Sequence, residues 1–203
     1  MRIEVIEPSN RLQRAEILTQ AFALRHRVFV EDHGWEFLRR HDGLDIDRHD
    51  DGQATHIIAL DGDRLLGHAR LIPGGYLVIA RADPERVSET AGSNDIFGLS
   101  RFCVSPDIED SQSRQAVTIA LFQTALRCLM DMGVQTLLFE TNPSIVFMLR
   151  VLGFSLENVG EATPIAGRTM QPVVLRLDST VMSRLPLKLA AWTRRSVVVA
   201  KPA

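Results

Sequence analysis

Apolar and polar positions alternate from residue 2 to residue 6, which predicts an opening strand. Between 11 and 29 the spacing changes, and Leu12, Ala15, Leu18, Phe22 and Leu24 form the stripe expected of a helix. Residues 30 to 53 follow neither period: this polar stretch is rich in Asp and His, is punctuated by Gly34, Gly43 and Gly52, and is too long for an idle connector. THIIALD and RLLGHARLI then flank an Asp61-Gly62 turn signal and predict an antiparallel hairpin, and FGLSRFCVS predicts the next strand. A helix is expected over 111 to 132, where Val117, Leu121, Ala125 and Cys128 keep a three- or four-residue spacing. VQTLLFET reads as a buried strand, SIVFMLRVL as a short helix stopped by Gly153, and FSLENV and QPVVLRLD as further strands before a basic C-terminal helix.

That order, β-α-β-β-β-α-β-α-β, predicts a single-domain three-layer α/β/α sandwich with a mixed sheet. The domain is expected to span residues 1 to 203, with 30 to 53 as an active-site loop and 178 to 203 as a basic extension. No repeat, low-complexity tract or linker divides the chain. Its apolar fraction of 45% and charged fraction of 24% are those of an ordinary globular domain, and the net charge of -2 supplies no basic field for nucleic acid. Cys103 and Cys128 lie in apolar surroundings, which favours buried thiols in a reducing cytoplasm over a disulfide or metal knuckle. The start MRIEVIEPSN has no signal-peptide pattern and no long apolar run follows, so a soluble, cytoplasmic protein without membrane contact is expected.

Chemistry concentrates in Arg25, Phe29, Trp35, Asp47, Asp50, Arg70, Ser100, Arg101 and Phe102. These three arginines, two carboxylates and flanking aromatics come from separate segments, so no single amphipathic element accounts for them. Two readings stand beside each other: a substrate site, or an ion-pair network that pins the long loop to the sheet. His33, His41 and His49 with Asp42, Asp45 and Asp47 match neither a His-x-x-x-His helix nor a calcium loop, since a loop opening at Asp45 would close on His56 instead of Glu. No metal is expected. Phe122, Met130, Phe139, Phe147 and Met148 serve either as ordinary core or as the lining of an apolar tunnel.

In order along the chain, Arg25 to Phe29, Gly34-Trp35, Asp47 to Asp50, Arg70 to Pro73 and Ser100 to Phe102 present Arg-x-x-x-Phe, Gly-Trp, Asp-x-x-Asp, Arg-Leu-x-Pro and Ser-Arg-Phe. This series resembles the acyl-homoserine-lactone synthase (autoinducer synthase) family, which is related to the GCN5-type N-acetyltransferases. The resemblance covers roughly the first 155 residues, and NPSIVFMLRVLGF is similar to the closing helix and strand of the wider acetyltransferase fold. It implies N-acylation of S-adenosylmethionine by an acyl thioester, then lactone closure with release of methylthioadenosine. Acyl carrier protein or acyl-CoA is the implied donor, with no tightly bound cofactor. The implied catalytic residues are Asp47, Asp50, Arg70, Ser100 and Arg101; Arg25, Phe29, Trp35, Phe102, Phe139, Thr141 and Met148 are implied to bind substrate.

Two departures from the family pattern bear on mechanism. The position three residues before Arg101, usually glutamate, is Gly98, so a candidate proton acceptor is absent. A bound water relayed to a main-chain carbonyl, or to Asp47 or Asp50, is the expected substitute. Residues 105 to 116 contain no glycine, unlike the pyrophosphate loop of many acetyltransferases. Lys188, Arg194, Arg195 and Lys201 offer a basic surface for an acidic carrier protein. The alternatives are an N-acyltransferase acting on another small amine and a catalytically silent protein that binds S-adenosylmethionine.

Overall fold

The computed structural model describes residues 1–50, 52–74, 82–91, 96–178 and 180–184. The described parts of Met1–Arg70 and Arg101–Ala125 form one compact unit, and those of Leu71–Ser100 and Leu126–Pro186 form another.

In the first unit, β1 (Arg2–Ile6) pairs antiparallel with β2 (Thr55–Asp61), with Arg2 opposite Leu60 and Ile6 opposite His56. Gly62, at a φ of 58°, turns the chain into β3 (Arg64–Pro73), as the Asp-Gly signal predicts. Strand neighbours run β1-β2-β3-β4, where β4 is Ile96–Val104. Helix α1 (Ala15–Arg25) packs Leu18, Ala21 and Phe22 with Ile6, Ile58 and Leu60 of the strands. The stripe is therefore narrower than expected. Leu12 is 87% exposed and Ala15 is also exposed. Leu12 falls in a 3-10 turn (Leu12–Arg14) that precedes the helix, and the tighter turn rotates it away from the buried face.

After Arg25 the helix widens into a π-helix (His26–Asp32), whose end is closed by the His33 N–H donating to the Val28 carbonyl and the Trp35 N–H donating to the Phe29 carbonyl. Gly34, at a φ of 71°, takes the left-handed turn that stops it. This segment buries a second apolar group, Leu24, Val28, Phe29 and Cys103, with Trp35 and Leu38 beside it. The stretch read as one long loop thus begins as helix and contains two short 3-10 turns, Glu36–Leu38 and Arg48–Asp50. Helix α3 (Ser111–Asp131) buries Val117, Leu121 and Ala125 as predicted, while Cys128 is half-buried.

In the second unit β4 is followed by β5 (Thr136–Thr141), β8 (Arg168–Arg176) and β6 (Leu156–Asn158), with β7 (Thr163–Ile165) on β8. Strand β5 runs parallel to β4 and antiparallel to β8, so the sheet is mixed, as expected. Strands β6 and β7 both pair antiparallel with β8. Ala82, Val87, Ile96, Leu138, Val159 and Val174 form a core cluster here. Helix α4 (Pro143–Val151) starts where the Ser144 N–H donates to the Asn142 side chain, with Pro143 in the first turn. Helix α2 (Pro84–Ala91) and β7 were not foreseen: PERVSETA carries one large apolar residue and TPI is three residues long, so neither shows a period. The expected basic C-terminal helix lies outside the described residues.

Candidate active site

The long segment after Gly34 is tied back to α1 where the Asp45 N–H donates to the Phe22 carbonyl. It then makes a tight turn in which the Asp47 N–H donates to Asp50 Oδ2, the His49 N–H to Asp47 Oδ1, and the Asp50 N–H to the Asp47 carbonyl. Arg11 Nη2 holds the Asp50 carbonyl from outside. The turn therefore presents Asp45, Asp47 and Asp50 together.

Three arginines meet them in a closed ring. Arg25 donates from Nε to Asp45 Oδ2 at 3.1 Å, and from Nη1 and Nη2 to the two oxygens of Asp50 at 2.9 and 3.0 Å. Arg70 grips both oxygens of Asp47 at 2.7 and 2.9 Å, and its Nη1 lies 2.8 Å from Asp50 Oδ1. Arg101 closes the circuit, from Nε to Asp45 at 2.6 Å and from Nη2 to Asp47 at 3.1 Å. Each aspartate bridges two arginines, so the formal charges cancel and the fork-shaped donors are matched to carboxylates.

Burial divides this ring. The side chains of Arg25, Arg70, Asp45 and Asp50 are at most 2% exposed, whereas Arg101 is 14% and Asp47 is 25% exposed. Burial alone would raise the Asp50 pKa, but Arg25 and Arg70 outweigh it and hold the carboxyl well below its ordinary range. The same contest at Asp47, decided by Arg70 and Arg101, also ends in a lowered pKa. Arg25 is raised, since Asp50 and Asp45 overcome its burial. Both Asp47 and Asp50 are fixed anions at neutral pH, which makes them weak proton acceptors and strong electrostatic partners.

Beside the exposed edge stands an aromatic ladder. Phe29 stacks on Trp35 at 5.2 Å between ring centroids, Trp35 stacks on Phe37 at 5.8 Å, and Phe37 is 70% exposed. Arg101 Cζ lies 5.8 Å from the Phe29 ring centre. A cation beside Trp35 would meet π faces.

The structure thus gathers Arg25, Phe29, Trp35, Asp47, Asp50, Arg70 and Arg101 in one neighbourhood. Phe102 is half-buried on β4 of the same unit. Ser100, also half-buried, and Phe139, Thr141 and Met148 belong to the second unit. Phe139 is 5% exposed in β5 opposite Val173, Thr141 ends that strand, and Met148 is 50% exposed on α4. Sequence reasoning left Asp45 out of the site, although it stands two residues before Asp47 in the same turn. It also gave no site role to His56 and His68, polar residues set in otherwise apolar strands, which is the signal that could have found them.

Gly98 is buried in β4 opposite Leu138, so no carboxylate occupies the place of the usual glutamate. At the start of α3, Asp110 accepts from the backbone N–H groups of Ser113 at 2.7 Å and Gln112 at 3.4 Å. That helix end is capped by its own carboxylate, which opposes a phosphate there. Cys103 is buried and its thiol is pushed up to about 12 by desolvation; both cysteines are free. Among the described residues no group of three metal-ligating side chains gathers, and no helix is long and apolar enough to cross a membrane.

Residues 9–185 match the family model of the autoinducer synthases. The chain belongs to the autoinducer synthase family. Among curated relatives, this family member is 44% identical over 71 residues to an isovaleryl-homoserine lactone synthase of Bradyrhizobium diazoefficiens, a match covering 35% of the chain and 32% of that protein. It is 28% identical over 192 residues to a probable acyl-homoserine-lactone synthase of Sinorhizobium fredii, covering 91% and 92% of the two. Its fold is that of a solved CoA-dependent acyl-homoserine lactone synthase with bound SAM and isopentyl-CoA, at a TM-score of 0.81, 24% identity, and coverage of 100% and 94%.

Proposed function

We propose that this autoinducer synthase is an acyl-homoserine-lactone synthase that takes S-adenosylmethionine and an acyl thioester to an acyl-homoserine lactone, a quorum signal, and methylthioadenosine. The observation that carries the reading is the one-sided ring: a charge-balanced lattice whose partly exposed members are Asp47 and Arg101, with Arg101 beside the Phe29-Trp35-Phe37 ladder. S-adenosylmethionine carries an ammonium, a carboxylate and a sulfonium. Asp47 attracts the ammonium, the Nη1 group of Arg101 that the ring leaves unused takes the carboxylate, and the aromatic faces suit the sulfonium. Arg25, Asp45, Asp50 and Arg70 are buried and bonded to other members of the ring, and are assigned to holding the other two in place.

In the first step the ammonium gives one proton to water, because Gly98 offers no carboxylate and Asp47 and Asp50 are weak bases. The free amine then attacks the thioester carbon, the carbon–sulfur bond breaks, and the departing sulfur takes the second nitrogen proton and leaves as the thiol. The backbone of Ser100 to Phe102 receives the transient oxyanion. In the second step the methionine carboxylate attacks the carbon next to the sulfonium, that carbon–sulfur bond breaks and methylthioadenosine departs. This closure depends on folding the substrate, an effect of proximity. Phe139, Thr141 and Met148 are assigned to the acyl chain.

Acyl-CoA is the proposed donor, with a short branched acyl group, supported by the CoA dependence of the structural relative and the isovaleryl product named for the first curated one. Cytoplasm is the proposed setting, where both substrates are made and where the free thiols Cys103 and Cys128 stay reduced. Incubating the purified protein with S-adenosylmethionine and a panel of acyl-CoA and acyl-carrier thioesters, read by mass spectrometry, tests all of this. Lactone and methylthioadenosine appearing together with a short branched acyl-CoA is the expected result. An acylated amine without methylthioadenosine would instead make the protein a general N-acyltransferase, and lactone from carrier-bound thioesters alone would overturn the CoA assignment.

A further inference from the structure

Behind the ring lies a second polar chain that the reaction as written does not use. His56 of β2 is 2% exposed and His68 of β3 is fully buried. Nδ1 of His56 is 3.1 Å from Nε2 of His68, and Nδ1 of His68 is 3.1 Å from the backbone carbonyl oxygen of Arg101. At the far end, Nε2 of His56 is 4.0 Å from Asp50 Oδ1.

The tautomers follow from this order. A carbonyl can only accept, so the His68 proton sits on Nδ1. Desolvation, Arg25 and His56 hold His68 uncharged, so its Nε2 must accept, and His56 must donate from Nδ1. Arg101, the residue at the end of the chain, has a φ of 52°, a left-handed conformation unusual for a side chain other than glycine. It lies within β4, where such a residue breaks the alternation of the strand.

We infer that His68, backed by His56, is a positioning residue of the synthase: by holding the Arg101 carbonyl it fixes the left-handed turn that delivers the Arg101 guanidinium to the open edge of the ring. The inference rests on the proposed role of Arg101 toward the substrate carboxylate. Its structural half stands apart from that role, because the planar peptide leaves the carbonyl direction and the backbone turn linked whatever Arg101 binds. The histidine pair makes its hydrogen bond at the Arg101 end only; at the other end His56 Nε2, unprotonated in this tautomer, faces Asp50 Oδ1 at 4.0 Å.

The test compares two substitutions that each remove one half of the ring's function. His68→Asn keeps a donor close to the Nδ1 position, and His68→Gln keeps a polar atom near Nε2 while losing the bond to Arg101. His68→Gln should raise the KM for S-adenosylmethionine about fivefold, leaving kcat and the KM for the acyl donor within about twofold. His68→Asn should stay near wild type in all three. Equal losses in both variants would show a merely structural histidine and overturn the inference. Nitrogen-15 spectra of the wild-type histidines decide independently of activity: protonated Nδ1 on both His56 and His68 supports the chain, and a protonated Nε2 on His68 overturns it even if the proposed reaction also fails. A working tautomer chain in a protein that makes no lactone would instead refute the function and leave the anchor standing.

Discussion

The two sides of the arginine-aspartate ring have the same chemistry and opposite surroundings. On the inner side the side chains of Arg25, Asp45, Asp50 and Arg70 are at most 2% exposed, and each carboxylate is shared between two arginines. On the outer side Asp47 and Arg101 use the same kinds of bond but keep part of their surface open. Residue type alone therefore does not separate frame from site. Exposure does, since a group with no access cannot recognise a ligand and a group without a frame cannot be aimed.

The largest effect should come from the inner side. Arg25→Ala leaves Asp45 and Asp50 buried without their partner and should cost about 3–5 kcal/mol in chemical unfolding, enough to unfold much of the protein. A loss under about 1 kcal/mol would mean that water enters the ring and that the inner and outer sides are alike. Next comes Arg101→Lys, which keeps the charge but not the fork. It should raise the KM for S-adenosylmethionine at least about tenfold, roughly 1.4 kcal/mol, while its unfolding midpoint moves far less than that of Arg25→Ala.

Much of this division was out of reach of the sequence. The arginines, aspartates and aromatics stood out because they come from separate segments that no single amphipathic element explains and because their order resembles the motif series of the autoinducer synthases, and the strands and helices that carry them were legible from their periods. Which arginine is buried was not. Arg25 sits in the last turn of α1 and Arg70 in β3, positions where a side chain's surroundings depend on segments far along the chain, and only the return of the 45–50 turn buries them. The π-helix was hidden because its widened turn interrupts the helical period that a sequence pattern detects. Leu12 misled for the converse reason: it fitted the period but fell outside the helix.

Acid should sharpen the comparison further. Burial holds the His56 pKa down to about 4, against 6.5 for the free side chain, and His68 is lowered as well. Because the unfolded chain takes up these protons first, the stability they supply is complete above about pH 6.5 and drains away as the pH falls toward the folded values. Asp50 and Asp47, also lowered, keep their contribution until the pH drops below the ordinary carboxylate value of 3.8. Unfolding free energy should thus decline in two stages. His56→Phe should remove up to about 1.4 kcal/mol per pH unit from the upper stage; an unchanged slope between about pH 6 and about pH 5 would contradict the neutral histidine chain. The smallest effect belongs to Phe37→Ala at the outer end of the ladder. It should leave stability within about 0.5 kcal/mol and weaken S-adenosylmethionine a few-fold, measured by binding competition.

Calorimetric binding of S-adenosylmethionine to Asp47→Asn, with no acyl donor present, tests most directly whether the open edge of the ring receives the substrate. The substitution keeps the size of the side chain and removes the charge proposed to attract the ammonium. Affinity should fall at least about tenfold while the protein stays folded by circular dichroism. Wild-type affinity in a folded Asp47→Asn protein would contradict the account and return the whole ring to a structural role.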